Sequence, residues 1–347
     1  MVDSRHIINQ DKSLLEALSQ INTLRNVPLV LFAVDDQGCM VGTLTDGDSR
    51  RALIAGAKVS DKISTIIERN FNYLQEGKDY DVKHLREQKE KKMRLVPVLD
   101  SNHHILDIIN LERFKTKLPI DAVIMAGGKG ERLRPLTEKI PKPLLKVGEK
   151  CIIDYNVDNL IANGVSHISV TINYLGEQLE DHYKEPRDGV KIETVREPKY
   201  LGTIGSIQFV KCFYHDTVLL MNSDLFTNVN LEDFYLHFIE HHADMSVAAV
   251  PYSVSVPYGI FDLSGRVVQG VIEKPTYNYY ANGGVYLIRK EMIEKYIPED
   301  TFFNATDFME KLISEGRKVI RFPLSGYWID IGNPQEYQKA KDLVSHL

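Results

Sequence analysis

Residues 121–145 read DAVIMAGGKGERLRPLTEKIPKPLL. The stretch DAVIMA has the length and apolar content of a buried strand, and it runs directly into Gly127, Gly128 and Gly130. Those glycines let the backbone turn sharply and come close to a ligand. In α/β sheets ligands collect beyond the carboxyl ends of strands, where exposed N–H groups can cradle phosphate. The basic run that follows calls for an anion, in a chain whose own net charge is −6. Spacing excludes two familiar glycine loops. A dinucleotide fingerprint needs a third glycine where Leu133 stands, which removes an NAD-dependent enzyme, and the G-x-x-x-x-G-K-[ST] loop is not supplied.

From residue 119 onward, apolar strands (HISVTI, VKIETV, TVLLMNSD, MSVAAVPY, GVYLIR) alternate with helical stretches such as CIIDYNVDNLIANG, ended by Gly164, and LEDFYLHFIEHH. This alternation predicts a mixed, mostly parallel sheet covered by helices. A length of 347 residues with 43% hydrophobic content suits two domains with their own cores, split at about residues 118/119 by the aperiodic segment ERFKTKLP. No apolar run approaches the roughly 18 residues needed to span a bilayer, and the first residues lack a secretion signal, so a cytoplasmic protein is expected. Cys39, Cys151 and Cys212 are odd in number and widely spaced, and read as reduced, mostly buried thiols. The histidines have no metal-ligand or catalytic spacing. Residues 1–118 carry 18 basic and 17 acidic side chains, too balanced for a nucleic-acid face, so the cations of the loop suit a small phosphorylated ligand.

The first third contains an echo at an offset of 65 residues: LFAVDDQGCMVGTL (31–44) over VPVLDSNHHILDII (96–109), each a strand ending in Asp35 or Asp100 and followed by a second strand. Before the first copy, Leu14, Leu15, Leu18 and Ile21 mark a helical face with Asp11 as N-cap; after it, SRRALIAG reads as a helix stopped by Gly56. Two such units, about 1–62 and 63–115, would pack as a pair. The arrangement resembles a tandem pair of CBS domains, an α+β regulatory module that often binds adenosyl nucleotides. GTLTDGD matches that family's ligand motif at Gly42, Thr45 and Asp48, which implies Thr45 toward phosphate and Asp48 toward ribose. The alternative is a plain helix cap by Asp46 or Asp48. In the second copy the corresponding positions, Asp107, Asn110 and Arg113, depart from the motif.

The pattern G-G-x-G-x-R-L-x-P-L-T followed by PKPLL resembles the signature of the sugar-phosphate nucleotidyltransferases, and the likeness extends from about Ile120 to Leu347. It implies a Rossmann-like, GT-A-like α/β domain. It further implies that Ala126, Gly127, Gly128 and Gly130 bind nucleotide phosphates, and that Arg132 and Lys142 act on the polyphosphate. Asp224 and Asp330 correspond to the aspartates that hold Mg²⁺. Glu273 and Lys274, Gly259 and Asn282 match the residues that contact the sugar phosphate, although the family's usual N-A-G reads Asn282-Gly283-Gly284 here. REPKYLGTIGSI resembles the E-P-L-G-T-A-G segment of guanylyltransferases acting on mannose- or heptose-type 1-phosphates, placing Glu197, Gly202 and Thr203 near the base and favouring GTP. Lys199 and Tyr200 interrupt that pattern, so UTP or dTTP stays open. Domain order resembles glucosamine-1-phosphate guanylyltransferases. The expected partners are therefore an NTP, a hexose 1-phosphate, an adenine nucleotide at the CBS pair and further copies of the chain; a catalytically silent nucleotide sensor is the alternative.

Overall fold

The computed structural model describes residues 4–25, 27–76, 82–112 and 117–346. By its internal contacts the chain separates into two units, Met1–Thr116 and Lys117–Leu347.

In the first unit two aspartates make the same turn twice. β1 (Ile7–Asn9) runs parallel to β2 (Val30–Val34), which turns back at Asp35 into β3 (Met40–Thr45). β4 (Leu74–Gln75), β5 (Leu95–Leu99) and β6 (Ile105–Asn110) follow the same order and senses. Asp35 accepts the N–H groups of Gln37 and Cys39, both at 2.9 Å, and Asp100 those of Asn102 and His104, both at 2.8 Å. A carboxylate that satisfies N–H groups two and four residues on closes a tight turn without further help, which is why the aspartates recur in the sequence. The two hairpins meet where Met40 N–H donates to His103 C=O at 2.9 Å and Phe32, Met40, Leu95 and Leu99 are buried together.

α1 (Leu14–Thr23) differs from expectation at both its start and its face. Its N-cap is Ser13, whose Oγ accepts Glu16 N–H while the Glu16 carboxylate accepts Ser13 N–H at 2.9 Å. This reciprocal box satisfies two orphan donors. Asp11 instead pairs with Lys62 at 2.9 Å. The buried face is Leu14, Ala17 and Ile21, and Leu15 is exposed. α2 (Asp46–Ile54) ends before Gly56 as expected, but its cap is Thr45. α3 (Val82–Glu90) precedes β5 as α1 precedes β2. Arg113 lies outside the described residues.

The second unit opens with β7 (Asp121–Ala126), the short pair β8 (Lys146–Val147) and β9 (Lys150–Cys151), α4 (Ile152–Ala162), β10 (His167–Ile172), α5 (Gly176–His182) and β11 (Ile192–Arg196). Next come β12 (Thr217–Asn222), β13 (Leu225–Thr227), α6 (Leu231–Glu240), β14 (Met245–Ser255), β15 (Ile260–Ser264), β16 (Val267–Ile272) and β17 (Thr276–Arg289). α7 (Lys290–Tyr296), α8 (Ala305–Ser314), β18 (Val319–Pro323), β19 (Trp328–Asp330) and α9 (Pro334–Val344) complete it. Seven strands form one sheet in the order β11-β10-β7-β12-β17-β14-β18, parallel throughout except for β17. β7 sits inside the sheet because nearly every residue of it is buried, as an apolar strand covered on both faces requires. The strand order reverses beside β7: β10 and β11 lie on one side, β12 on the other. Such a reversal opens a crevice at the carboxyl ends.

Cys212 is exposed and only Cys39 and Cys151 are partly buried, against the expectation of mostly buried thiols. Cys212 lies at the surface three residues past the short 3₁₀ helix Gly205–Phe209, not in a core strand. Cys151 lies within ligand distance of Asp154 and His182, a grouping the sequence did not announce. The Asp154 carboxylate there is taken up by His182 at 2.9 Å, Tyr183 O–H at 3.1 Å and Arg187 at 3.3 Å, and so ties α4 to α5.

Candidate active site

The crevice predicted by the strand order is a cleft of about 680 Å³ at the carboxyl ends of β7, β10 and β12. Its floor is the glycine loop. Gly130 adopts φ +62°, and a Cβ there would sit 3.0 Å from Lys142 Cβ, so only glycine lets the loop fold against the PKP segment. Thr137 Oγ1 fixes the bend by donating to Gly130 C=O at 2.8 Å. The N–H groups of Gly128 and Lys129 have no acceptor among the described residues, and no atom crowds Gly128. Backbone donors left open toward a cleft are what an anion requires.

Two cations stand over this floor in different states. Lys142, between Pro141 and Pro143 in a one-turn 3₁₀ helix, is 9% exposed and forms an ion pair with Asp224. Arg132 is exposed, lies beside Gly332 and has no ion-pair partner among the described residues. A guanidinium without a protein partner can still offer its fork of donors to phosphate.

The acidic pair is brought together by a small second sheet. β13 begins one residue after Asp224 and runs antiparallel to β19, with Leu225 opposite Asp330. Ile331 N–H also donates to the Asp224 carbonyl at 3.1 Å. Both strands are three residues long and hold their place through packing: Phe226 is 1% exposed, stacked on Tyr327 with centroids 5.0 Å apart and met edge-on by Tyr155. One oxygen of each carboxylate, Asp224 Oδ1 and Asp330 Oδ1, is buried without a hydrogen-bond partner. Burial first, and the neighbouring Asp224 charge second, push the Asp330 carboxyl above its ordinary value, against the pull of Lys142 and Arg132. Two adjacent, unsatisfied carboxylate oxygens are costly alone and match the hard-oxygen demand of a divalent cation. The residues present therefore fit a divalent cation such as Mg²⁺.

The side wall contains Glu197, Tyr200, Gly202 and Thr203. Glu197 is 4% exposed, accepts Leu201 N–H at 3.1 Å with one oxygen, and directs the other toward Gly127, where a Cβ would collide with it. Burial raises its carboxyl above the ordinary value, opposed by the Leu201 N–H. The Thr203 hydroxyl accepts Ala305 N–H at 2.8 Å and so also serves the start of α8. The cleft thus gathers Ala126, Gly127, Gly128, Gly130, Arg132, Lys142, Glu197, Gly202, Thr203 and Asp224, with Asp330 within electrostatic reach. It adds Asn173, Ser206, Asn222 and Gly332, which the sequence did not single out. For two of them the signal is position: Asn173 follows the end of β10 and Asn222 closes β12.

Other expected residues lie elsewhere. Gly259, Glu273, Lys274 and Asn282 are exposed and do not line the cleft. Gly259 and Glu273 are neighbours at the base of the β15–β16 ribbon, where a Cβ on Gly259 would sit 3.0 Å from Glu273 Oε2. Asn282 serves its own strand, donating to Tyr286 Oη at 2.9 Å and accepting Gly284 N–H at 2.9 Å. In the first unit, Asp48 accepts both Thr45 N–H at 2.8 Å and Thr45 O–H at 2.6 Å and pairs with Arg51. Thr45 and Asp48 are thus engaged in capping α2, while Gly42 passes close to Glu68, whose carbonyl a Cβ would meet at 2.9 Å.

Residues 121–346 match the family model described as Nucleotidyl transferase. The chain is 29% identical to D-glycero-alpha-D-manno-heptose 1-phosphate guanylyltransferase of Aneurinibacillus thermoaerophilus, over 65% of this chain and 99% of that one. It is 28% identical to the mannose-1-phosphate guanyltransferase of Schizosaccharomyces pombe, over 62% of each. Relative to such mannose-1-phosphate enzymes the chain spans about 62% of their length. Among solved structures it resembles HddC from Yersinia pseudotuberculosis, with a TM-score of 0.52 and 28% identity over 65% of this chain and 99% of that one. The same protein complexed with GMP-PN matches with a TM-score of 0.50 and 26% identity, at the same coverage. No helix among the described residues is long and apolar enough to cross a membrane.

Proposed function

Since this chain belongs to the nucleotidyl transferase family by the match over residues 121–346, we propose that it joins an NTP, GTP in preference, to a hexose 1-phosphate, releasing pyrophosphate. In this reaction a phosphate oxygen of the sugar attacks the α-phosphorus, and the bond from that phosphorus to the bridging oxygen of the pyrophosphate breaks. The sugar phosphate is already ionised at neutral pH, so no nucleophilic side chain is needed and positioning with charge stabilisation does the work. The open N–H groups of Gly128 and Lys129 receive phosphate oxygens, Arg132 the departing pyrophosphate, and Lys142 holds phosphate as a point charge. Mg²⁺ bound by Asp224 and Asp330 would neutralise charge on the polyphosphate. The observation that carries the reading is the pair of unsatisfied carboxylate oxygens on Asp224 and Asp330 beside the glycine loop and Lys142. Pyrophosphate release by the purified chain, with Mg²⁺, GTP and a panel of sugar 1-phosphates, tests it; binding without turnover would favour the silent sensor.

Guanine is favoured by Glu197, whose carboxylate can accept from guanine N1–H and N2–H, a pattern uracil and thymine do not offer. The names of the heptose and mannose relatives point the same way. Glu197→Gln should reduce the kcat/KM preference for GTP over UTP by roughly 10- to 100-fold, the loss expected when a buried acceptor no longer matches its donors. An unchanged ratio would remove Glu197 from base selection. The sugar is of the mannose, heptose or glucosamine type, with Gly259, Glu273, Lys274 and Asn282 as its candidate contacts.

The first unit is proposed as a CBS-type regulatory pair, supported by its two sheets of equal order and by the GTLTDGD segment. An effector bound there must release Thr45 and Asp48 from each other or use their remaining valences. AMP or ATP is expected to change kcat or KM several-fold; unchanged kinetics together with no measurable binding would end this assignment.

A further inference from the structure

Residues 251–282 form an arm made of the outer halves of β14 and β17 and the β15–β16 ribbon that joins them. None of these residues is buried. Successive strand residues face opposite sides, and adjacent pairs on β16 are bare together: Val267 and Val268 are 66% and 50% exposed, Val271 and Ile272 58% and 53%. Both faces of the ribbon are therefore apolar and open to water. A two-stranded ribbon with no buried face is marginally stable at best. Such an arm calls for a cover in water.

Area, charge and edges identify the cover. Twelve large hydrophobic side chains are exposed in the arm, most of them by half or more. With aromatic side chains burying about 150–250 Å² each, the bare apolar area is on the order of 1,000 Å². Summed over both faces, that exceeds the roughly 300–600 Å² patch of an ordinary monomer, and it reaches the roughly 800 Å² per partner of a stable interface when two arms wrap each other and cover both faces. The arm's charges are Asp262, Arg266, Glu273 and Lys274, which cancel. An acidic membrane or a nucleic acid would find no excess of cations to hold it, whereas a two-fold contact of the arm with itself needs none. β15 and β16 pair only with each other among the described residues, so each leaves one edge free, and residues 260–272 contain neither proline nor lysine to block edge pairing. We propose that this arm is the two-fold contact through which two copies of the chain associate.

Sedimentation velocity and hydrogen exchange on the full chain test this. At micromolar concentration the wild type should sediment as an even number of chains, and Val267→Asp with Val271→Asp should halve that mass. An unchanged mass in a variant that keeps its circular dichroism and melting temperature would overturn the proposal. If the variant fails to fold, the wild type alone decides. Amides of residues 260–272 should exchange slowly when concentrated and faster on dilution. A monomeric wild type, or exchange independent of concentration, as cover by the chain's own first unit would give, would contradict it.

Discussion

Asp224→Asn should lower the rate of pyrophosphate release by about three orders of magnitude, with little of the loss recovered at saturating substrate. Two consequences add in this variant. One of the two carboxylates at the proposed metal position is lost, and the buried ammonium of Lys142 loses its one ion-pair partner among the described residues. An uncompensated buried charge costs about 3–5 kcal/mol where it cannot relax, and each 1.36 kcal/mol at the transition state is a factor of about ten in rate. If Asp224 served only to neutralise Lys142, the variant would melt earlier and turn over normally once folded. Paired measurements of melting temperature and kcat separate these outcomes, and a kcat within a few-fold of wild type would remove Asp224 from catalysis.

Arg132→Ala should lower kcat by about 10²- to 10³-fold, the range seen when a donor aimed at developing charge is removed. Stability should be nearly untouched, because Arg132 is exposed and has no ion-pair partner among the described residues. That separation distinguishes it from the Asp224 variant. Arg132→Lys should restore part of the rate, since an ammonium supplies the charge but not the planar fork. A variant that raises KM for GTP at constant kcat would mean that Arg132 binds ground state and transition state alike.

The glycine-loop side of the cleft was legible because its parts are local. The loop from Gly127 to Arg132 and the PKP turn at Lys142 fall within one short stretch, and the glycine spacing fixes the backbone shape that makes Lys142 its neighbour. Strand-helix alternation likewise gave the parallel part of the sheet. What was not legible depends on contacts between distant segments. β13 and β19 are three-residue strands with no periodic pattern of their own, yet their pairing is what sets Asp224 beside Asp330. Ser13 displaces Asp11 as the cap of α1 because Glu16 stands three residues on and completes the box, a signal present in the sequence two residues past Asp11. The apolar residues of β15 and β16 fall mostly in adjacent pairs rather than alternating, so the sequence marks no single covered face, and their exposure is read only from the fold.

Asp224 and Asp330 are proposed to converge so that they hold a divalent cation against a nucleotide lying over the glycine loop. Conversion of α-labelled GTP and a hexose 1-phosphate to a labelled nucleotide sugar by the purified chain, with and without chelation of the metal, tests this. Product should appear with Mg²⁺, stop on chelation and return when the metal is restored. Product formation indifferent to chelation, or none with any sugar 1-phosphate and nucleoside triphosphate while the protein stays folded, would contradict it.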